Sequence, residues 1–187
     1  MARIFSWKPA LTYRGRKFKG LRGWAGKPTH PPLTDIPVAA YILAAVFDTI
    51  SFVAGDRSLG TDTFSAATYV IVAGAIVSVP TAATGFWDWL KSTAPGTQAW
   101  RTANAHMAAM VTVTLIVAVD VVVRLGQWED GATSGLVLTL SAVAALLVAV
   151  GAMYGGSLVY DYGFNVETAG DSPVWHESET DVYPGGK

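Results

Sequence analysis

The chain has 187 residues, of which 51% are hydrophobic and 14% charged, where a soluble domain carries about 25% charge. It holds no cysteine, which excludes disulfides, thiolate metal sites, covalently attached c-type haem and iron–sulfur clusters within this chain. The net charge of −1 conceals a basic start, an acidic end and apolar stretches between them, a distribution that fits one membrane domain and leaves no room for a second.

Residues 1–29 read as a basic cytoplasmic arm. Arg3, Lys8, Arg14, Arg16, Lys17, Lys19, Arg22 and Lys27 stand there without an acid, interleaved with Phe5, Trp7, Tyr13, Phe18 and Trp24. Gly20, Gly23, Gly26 and Pro28 break any long helix. Such an arm suits an acidic partner or anionic lipid, where each basic residue near the surface contributes about 1 kcal/mol. Nucleic acid is not expected as a partner of a membrane domain. No short apolar core follows the basic start, so no signal peptide is expected.

Residues 30–160 read as an all-α, four-transmembrane-helix bundle. The apolar stretches 37–54, 64–86, 103–125 and 135–154 each approach the ~20 residues that a helix needs to cross the hydrocarbon core. Thr34 or Asp35 is the expected cap of the first helix, with proline suited to a first turn. Asp48 lies well inside that helix. It is either a proton- or ion-carrying carboxylate or a group bonded to a neighbour such as Thr68 or Tyr69. The second helix contains Pro80, which should kink it and frees a carbonyl that Ser78, Thr81 or neighbours must satisfy. It ends in Phe86-Trp87-Asp88-Trp89, where the tryptophans read as interface anchors. Asp88 is expected to cap, or to pair with Arg101 across the short loop that follows.

The third helix passes His106, Met107 and Met110, and ends with Asp120 and Arg124, whose i, i+4 spacing allows a structural pair. The fourth is small and aliphatic, with Gly151 and Gly155 at a spacing that permits close helix packing. No internal repeat is evident. Residues 161–187 form an acidic tail that holds Asp161, Glu167, Asp171, Glu177, Glu179 and Asp181, and extended structure is expected there. His176 reads as a solvated or partner-facing residue of that tail.

Basic flanks stay in the cytoplasm. The arm therefore sets both termini on the cytoplasmic side of a bacterial inner membrane. An odd-numbered helix begins on the side where the chain began, so His30 and His106 fall near one face. Two imidazoles from different helices at one depth are how a bundle grips b-type haem iron. The alternative is a pair of interfacial histidines bonded to backbone or headgroups. Met107 and Met110 could also ligate iron, although methionines on a helix face more often pack. Walker, G-x-S-x-G and H-E-x-x-H motifs are absent, and nothing pairs a nucleophile with a base.

Several short stretches resemble a bacterial family of small four-helix membrane proteins known as domain of unknown function 2231. They are His30-Pro31-Pro32-Leu33 with Pro37, then Asp48, Thr84-Gly85-Phe86-Trp87-Asp88-Trp89, His106, and Gly155-Gly156-Ser157-Leu158-Val159-Tyr160 with Gly163. The likeness covers residues from about 28 to 166. The family's Asn shortly after the third-helix His has no counterpart, since Met110 occupies that region. The resemblance implies the four-helix fold and functional roles for His30, His106 and Asp88. Family members often look like companions of redox proteins. The expectation is an integral membrane redox protein that binds haem b through His30 and His106 and serves a redox partner or quinone. A non-catalytic subunit of a larger membrane complex is the alternative, and a proton or ion path through Asp48 is the second.

Overall fold

A computed structural model describes Gly20, Leu21, Gly23, residues 28–164 and Val166. It contains helices α1 (His30–Ala54), α2 (Ser58–Ser92), α3 (Gln98–Gly126) and α4 (Gly135–Tyr160), with a short 3-10 turn at Trp128–Asp130. All four are long and apolar enough to cross a membrane. His176 and the other arm and tail residues singled out above lie outside the described residues, apart from Gly20, Gly23, Pro28, Asp161 and Gly163.

Local chemistry accounts for the helix ends. α1 begins at His30, earlier than Thr34 or Asp35 would have capped it, and Thr29 provides no side-chain cap. Pro31 and Pro32 fill the first turn, where a missing N–H has no intrahelical partner to lose. α1 ends at Gly55, whose φ of 61° lies in the region that favours glycine. Thr97 caps α3 by accepting the Trp100 N–H at 3.1 Å, and Ser134 caps α4 by accepting from Val137 at 3.4 Å. Pro37 inside α1 frees the Leu33 carbonyl, which accepts from Thr81 Oγ1 of α2 at 3.3 Å. Thr81 also donates to the Val77 carbonyl, beside the break at Pro80.

The polarity of the bundle is inverted relative to a soluble one. Large apolar side chains such as Ile76, Val122 and Met153 face outward, while Asp48, Thr68, Ser78, Asp120, Arg124 and Ser141 are buried. That is the arrangement expected when the solvent is hydrocarbon and polar groups must satisfy one another inside. An apolar core of Ala40, Tyr41, Ala44, Ile71, Val113, Val117, Ala144 and Val148 fills the middle. The helices pack in a ring, α1 on α2, α2 on α3, α3 on α4 and α4 back on α1, so that α1 and α3 face each other diagonally.

The chain repeats itself, although the sequence alone does not reveal it. Adding 76 to a buried position of α1 gives a buried position of α3 at four places: Pro37 and Val113, Tyr41 and Val117, Ala44 and Asp120, Asp48 and Arg124. Adding 70 carries α2 onto α4 at six: Ala67 and Val137, Ile71 and Ser141, Gly74 and Ala144, Ser78 and Val148, Thr81 and Gly151, Asp88 and Leu158. The burial pattern of the hairpin α1–α2 therefore matches that of the hairpin α3–α4, the relation that a pseudo-two-fold axis along the bundle would produce. By the same offset His30 corresponds to His106.

Candidate functional site

The two histidines sit at one end of the bundle in matching seats. His30 donates from Nδ1 to the Thr81 carbonyl oxygen of α2 at 2.9 Å, with Thr84 Oγ1 at 3.4 Å. His106 donates from Nδ1 to the Gly151 carbonyl oxygen of α4 at 2.8 Å. Thr81 and Gly151 are equivalent under the repeat. A carbonyl oxygen can only accept, so each Nδ1 carries the hydrogen, and the neutral ring keeps its lone pair on Nε2.

Glycine makes both seats possible. Four residues beyond each accepting carbonyl stands Gly85 or Gly155. A Cβ at Gly85 would lie 2.5 Å from His30 Cε1 and 2.9 Å from Nδ1, and one at Gly155 would lie 3.2 Å from His106 Cε1. Each ring thus rests against the backbone of the partner helix. Gly151 serves a further contact, because a Cβ there would meet the Met110 sulfur at 2.5 Å. Met110 is a packing residue here, set against the core.

The stretch Thr84–Trp89 builds the rest of this end. Asp88 is 1% exposed and accepts the Leu21 backbone N–H at 3.0 Å. Arg101, the partner expected for Asp88, is exposed and bonds instead to Gln98 Oε1 and the Gly96 carbonyl. The loop of Arg101 is short, and its guanidinium is taken up by its own first turn. Trp89 donates from Nε1 to Asn104 Oδ1 at 2.8 Å, which ties α2 to α3. Trp87 is 47% exposed with Lys91 over its ring. Trp89 is therefore an interhelical tie as well as a tryptophan at the helix end.

The opposite end of the bundle carries a buried charge cluster. Asp48, Asp120 and Arg124 each have 0% exposure. Arg124 Nη2 donates to Asp48 Oδ2 at 2.8 Å and to Asp120 Oδ2 at 3.1 Å, and its Nε reaches Asp120 Oδ1 at 3.1 Å. Thr68 Oγ1 accepts from Nη1 at 3.4 Å, and Thr133 Oγ1 donates to Asp48 Oδ1 at 3.0 Å. Ser51 accepts the Thr133 N–H and donates to the Gly60 carbonyl, which closes the network. The i, i+4 pair Asp120–Arg124 forms. Asp48 is bound to Arg124 and Thr133, and meets Thr68 only through the shared guanidinium.

Sequence reasoning names His30, His106, Asp48, Asp120 and Arg124 but misses Thr81, Gly85, Gly151 and Gly155 as histidine seats, and Thr133 as a ligand of Asp48. A usable signal existed: each histidine-bearing helix is followed by one with glycine near its far end. Thr133 gave none, since it lies in a loop. Among the described residues no group of three or more His, Asp or Glu is placed to hold a metal ion.

A family model described as a predicted membrane protein, DUF2231, matches residues 26–168. No curated protein and no solved structure matches the chain.

Proposed function

We propose, for a chain that belongs to the DUF2231 family of predicted membrane proteins, an integral-membrane redox role in which haem b is held between α1 and α3 by Nε2 of His30 and His106. The observation that carries this reading is the matched pair of seats. Each Nδ1 is occupied by a backbone carbonyl at 2.8–2.9 Å, the outer-shell bond that fixes tautomer and ring orientation in metal-ligating histidines. The donor set fits the group. Two neutral imidazoles on facing helices would hold the haem iron without a third side chain. Haem, when bound, would supply one-electron chemistry.

This chain's own residues would hold and orient. Thr81 and Gly151 aim the rings through Nδ1. Gly85 and Gly155 let the rings approach the backbone of the partner helices closely. Trp89 and Asn104 pin α2 to α3 at the same end. The basic arm would set this end at the cytoplasmic face of a bacterial inner membrane by the positive-inside tendency, where a redox partner or a quinone exchanges electrons.

The test is an absorption spectrum of the detergent-purified full chain, oxidised and then reduced with dithionite. A Soret band that sharpens into α and β bands on reduction, and is lost in His106→Ala, supports the reading. A folded protein that stays colourless after haem supplementation overturns it.

A further inference from the structure

The buried cluster at the far end has no part in the histidine site, yet the repeat ties the two together. Asp48 lies 18 residues beyond His30, and Arg124 lies 18 residues beyond His106. At five helical turns, or about 27 Å, each acts on the same stripe of its helix as the histidine. α1 and α3 carry the histidines, stand diagonally across the bundle and share no backbone packing. Among the described residues, the Asp48–Arg124 contact at 2.8 Å is the ion pair that joins them directly.

We propose that Asp48 and Arg124 are positioning residues for the histidine site: equivalent positions of a duplicated hairpin, made opposite in charge, that fix α1 against α3 so that both imidazoles meet one ligand on the pseudo-two-fold axis. The proposal rests on the haem reading above for the identity of that ligand, and on the repeat for the rest. Three features support it. The cluster is wholly buried and fully hydrogen-bonded, with partners from α1, α2, α3 and the loop before α4. A buried charged pair is best attested as a device for register and pairing, not for net stability. The opposite charges also discriminate. Two copies of the α1–α2 hairpin paired on the same axis would set Asp48 against Asp48, and two copies of α3–α4 would set Arg124 against Arg124, which hydrocarbon penalises.

The repeat supplies a rescue. Ala44 is the counterpart of Asp120, so the three charged groups can be exchanged across the axis with Ala44→Asp, Asp48→Arg, Asp120→Ala and Arg124→Asp together, while the Thr68 and Thr133 hydroxyls, which can donate or accept, stay in place. The experiment uses the full chain in detergent. Cysteines replace Ile36 and Val111, exposed positions on the histidine side of α1 and α3, in a chain that has none of its own. Spin labels there report the separation of the two helices whether or not haem is present.

The expected result is one narrow distance in the parent, its loss or shift in Asp48→Ala, and its return in the four-substitution variant. Loss and return of the paired-imidazole haem spectrum should follow the same order. An Asp48→Ala protein that folds and keeps both the narrow distance and the spectrum overturns the proposal. If Asp48→Ala does not fold, the four-substitution variant decides: a folded protein with the parent distance supports the proposal, and an unfolded one overturns it. Failure of the haem reading looks different, namely a colourless parent whose label distance still responds to Asp48→Ala.

Discussion

At the scale of single residues, function is decided by what stands opposite a side chain. An imidazole can lie on a helix only where no Cβ is in the way, so Gly85 is required for the His30 seat as it stands and Gly155 relieves a tight contact at the His106 seat. The two glycines differ in clearance, 2.5 Å against 3.2 Å to the ring carbon. Gly85→Ala should therefore cost about 1–3 kcal/mol, in the range of overpacked sites, and more than Gly155→Ala. Thermal denaturation in detergent orders the two, and equal melting points would contradict the geometry. Thr81 has a double duty, since its carbonyl takes His30 and its hydroxyl takes the carbonyl freed by Pro37. Thr81→Val keeps the first and removes the second. It should destabilise the fold by about 0.5–1.5 kcal/mol, the net contribution of a hydrogen bond that here is part-buried and shared with the Val77 carbonyl, while leaving any haem colour intact. A loss of colour at unchanged stability would invert that assignment.

At the scale of elements, the arginine on α3 holds the bundle's far end by serving two carboxylates at once. Removing it leaves Asp48 and Asp120 buried without a cation, whereas removing the Asp48 charge leaves Arg124 still paired with Asp120. Arg124→Gln should therefore cost about 3–5 kcal/mol, the usual penalty for breaking a buried pair, and Asp48→Asn clearly less. Chemical or thermal unfolding of the single and double variants gives the order and the coupling. Equal costs would mean that Asp120 contributes little. The helices that carry these groups were legible in the sequence because ~20-residue apolar runs have one reading in a membrane. Their ends were less legible. α1 starts at His30 because consecutive prolines in a first turn cost nothing there, and α2 runs on to Ser92 because Asp88 and Trp89 find partners on Leu21 and Asn104.

At the scale of the whole molecule, the chain is two similar hairpins with unlike ends: histidines at one end and a charge cluster at the other. The positive-inside tendency predicts orientation from the basic flank. Neutralising the basic residues of the arm should produce mixed insertion, because lysine and arginine dominate that choice. Single cysteines replacing Asp56 and Ala94, on opposite ends of the bundle, report it through labelling by a membrane-impermeant thiol reagent. A single unchanged orientation after neutralisation would assign orientation to another feature.

The sequence by itself determined the membrane class, the number of helices, the absence of thiol chemistry and the pair of histidines on one side. These depend on composition and on helix length, which are local. The tertiary structure alone decided the repeat, the glycine seats and the partner of Asp48. Each hairpin keeps its burial pattern while changing nearly every residue, since small, polar and apolar side chains can fill equivalent interior positions as long as each finds a neighbour. Asp48 and Arg124 show why: at matching positions they share no chemistry, and only their meeting across the axis, 76 residues apart in the chain, explains both.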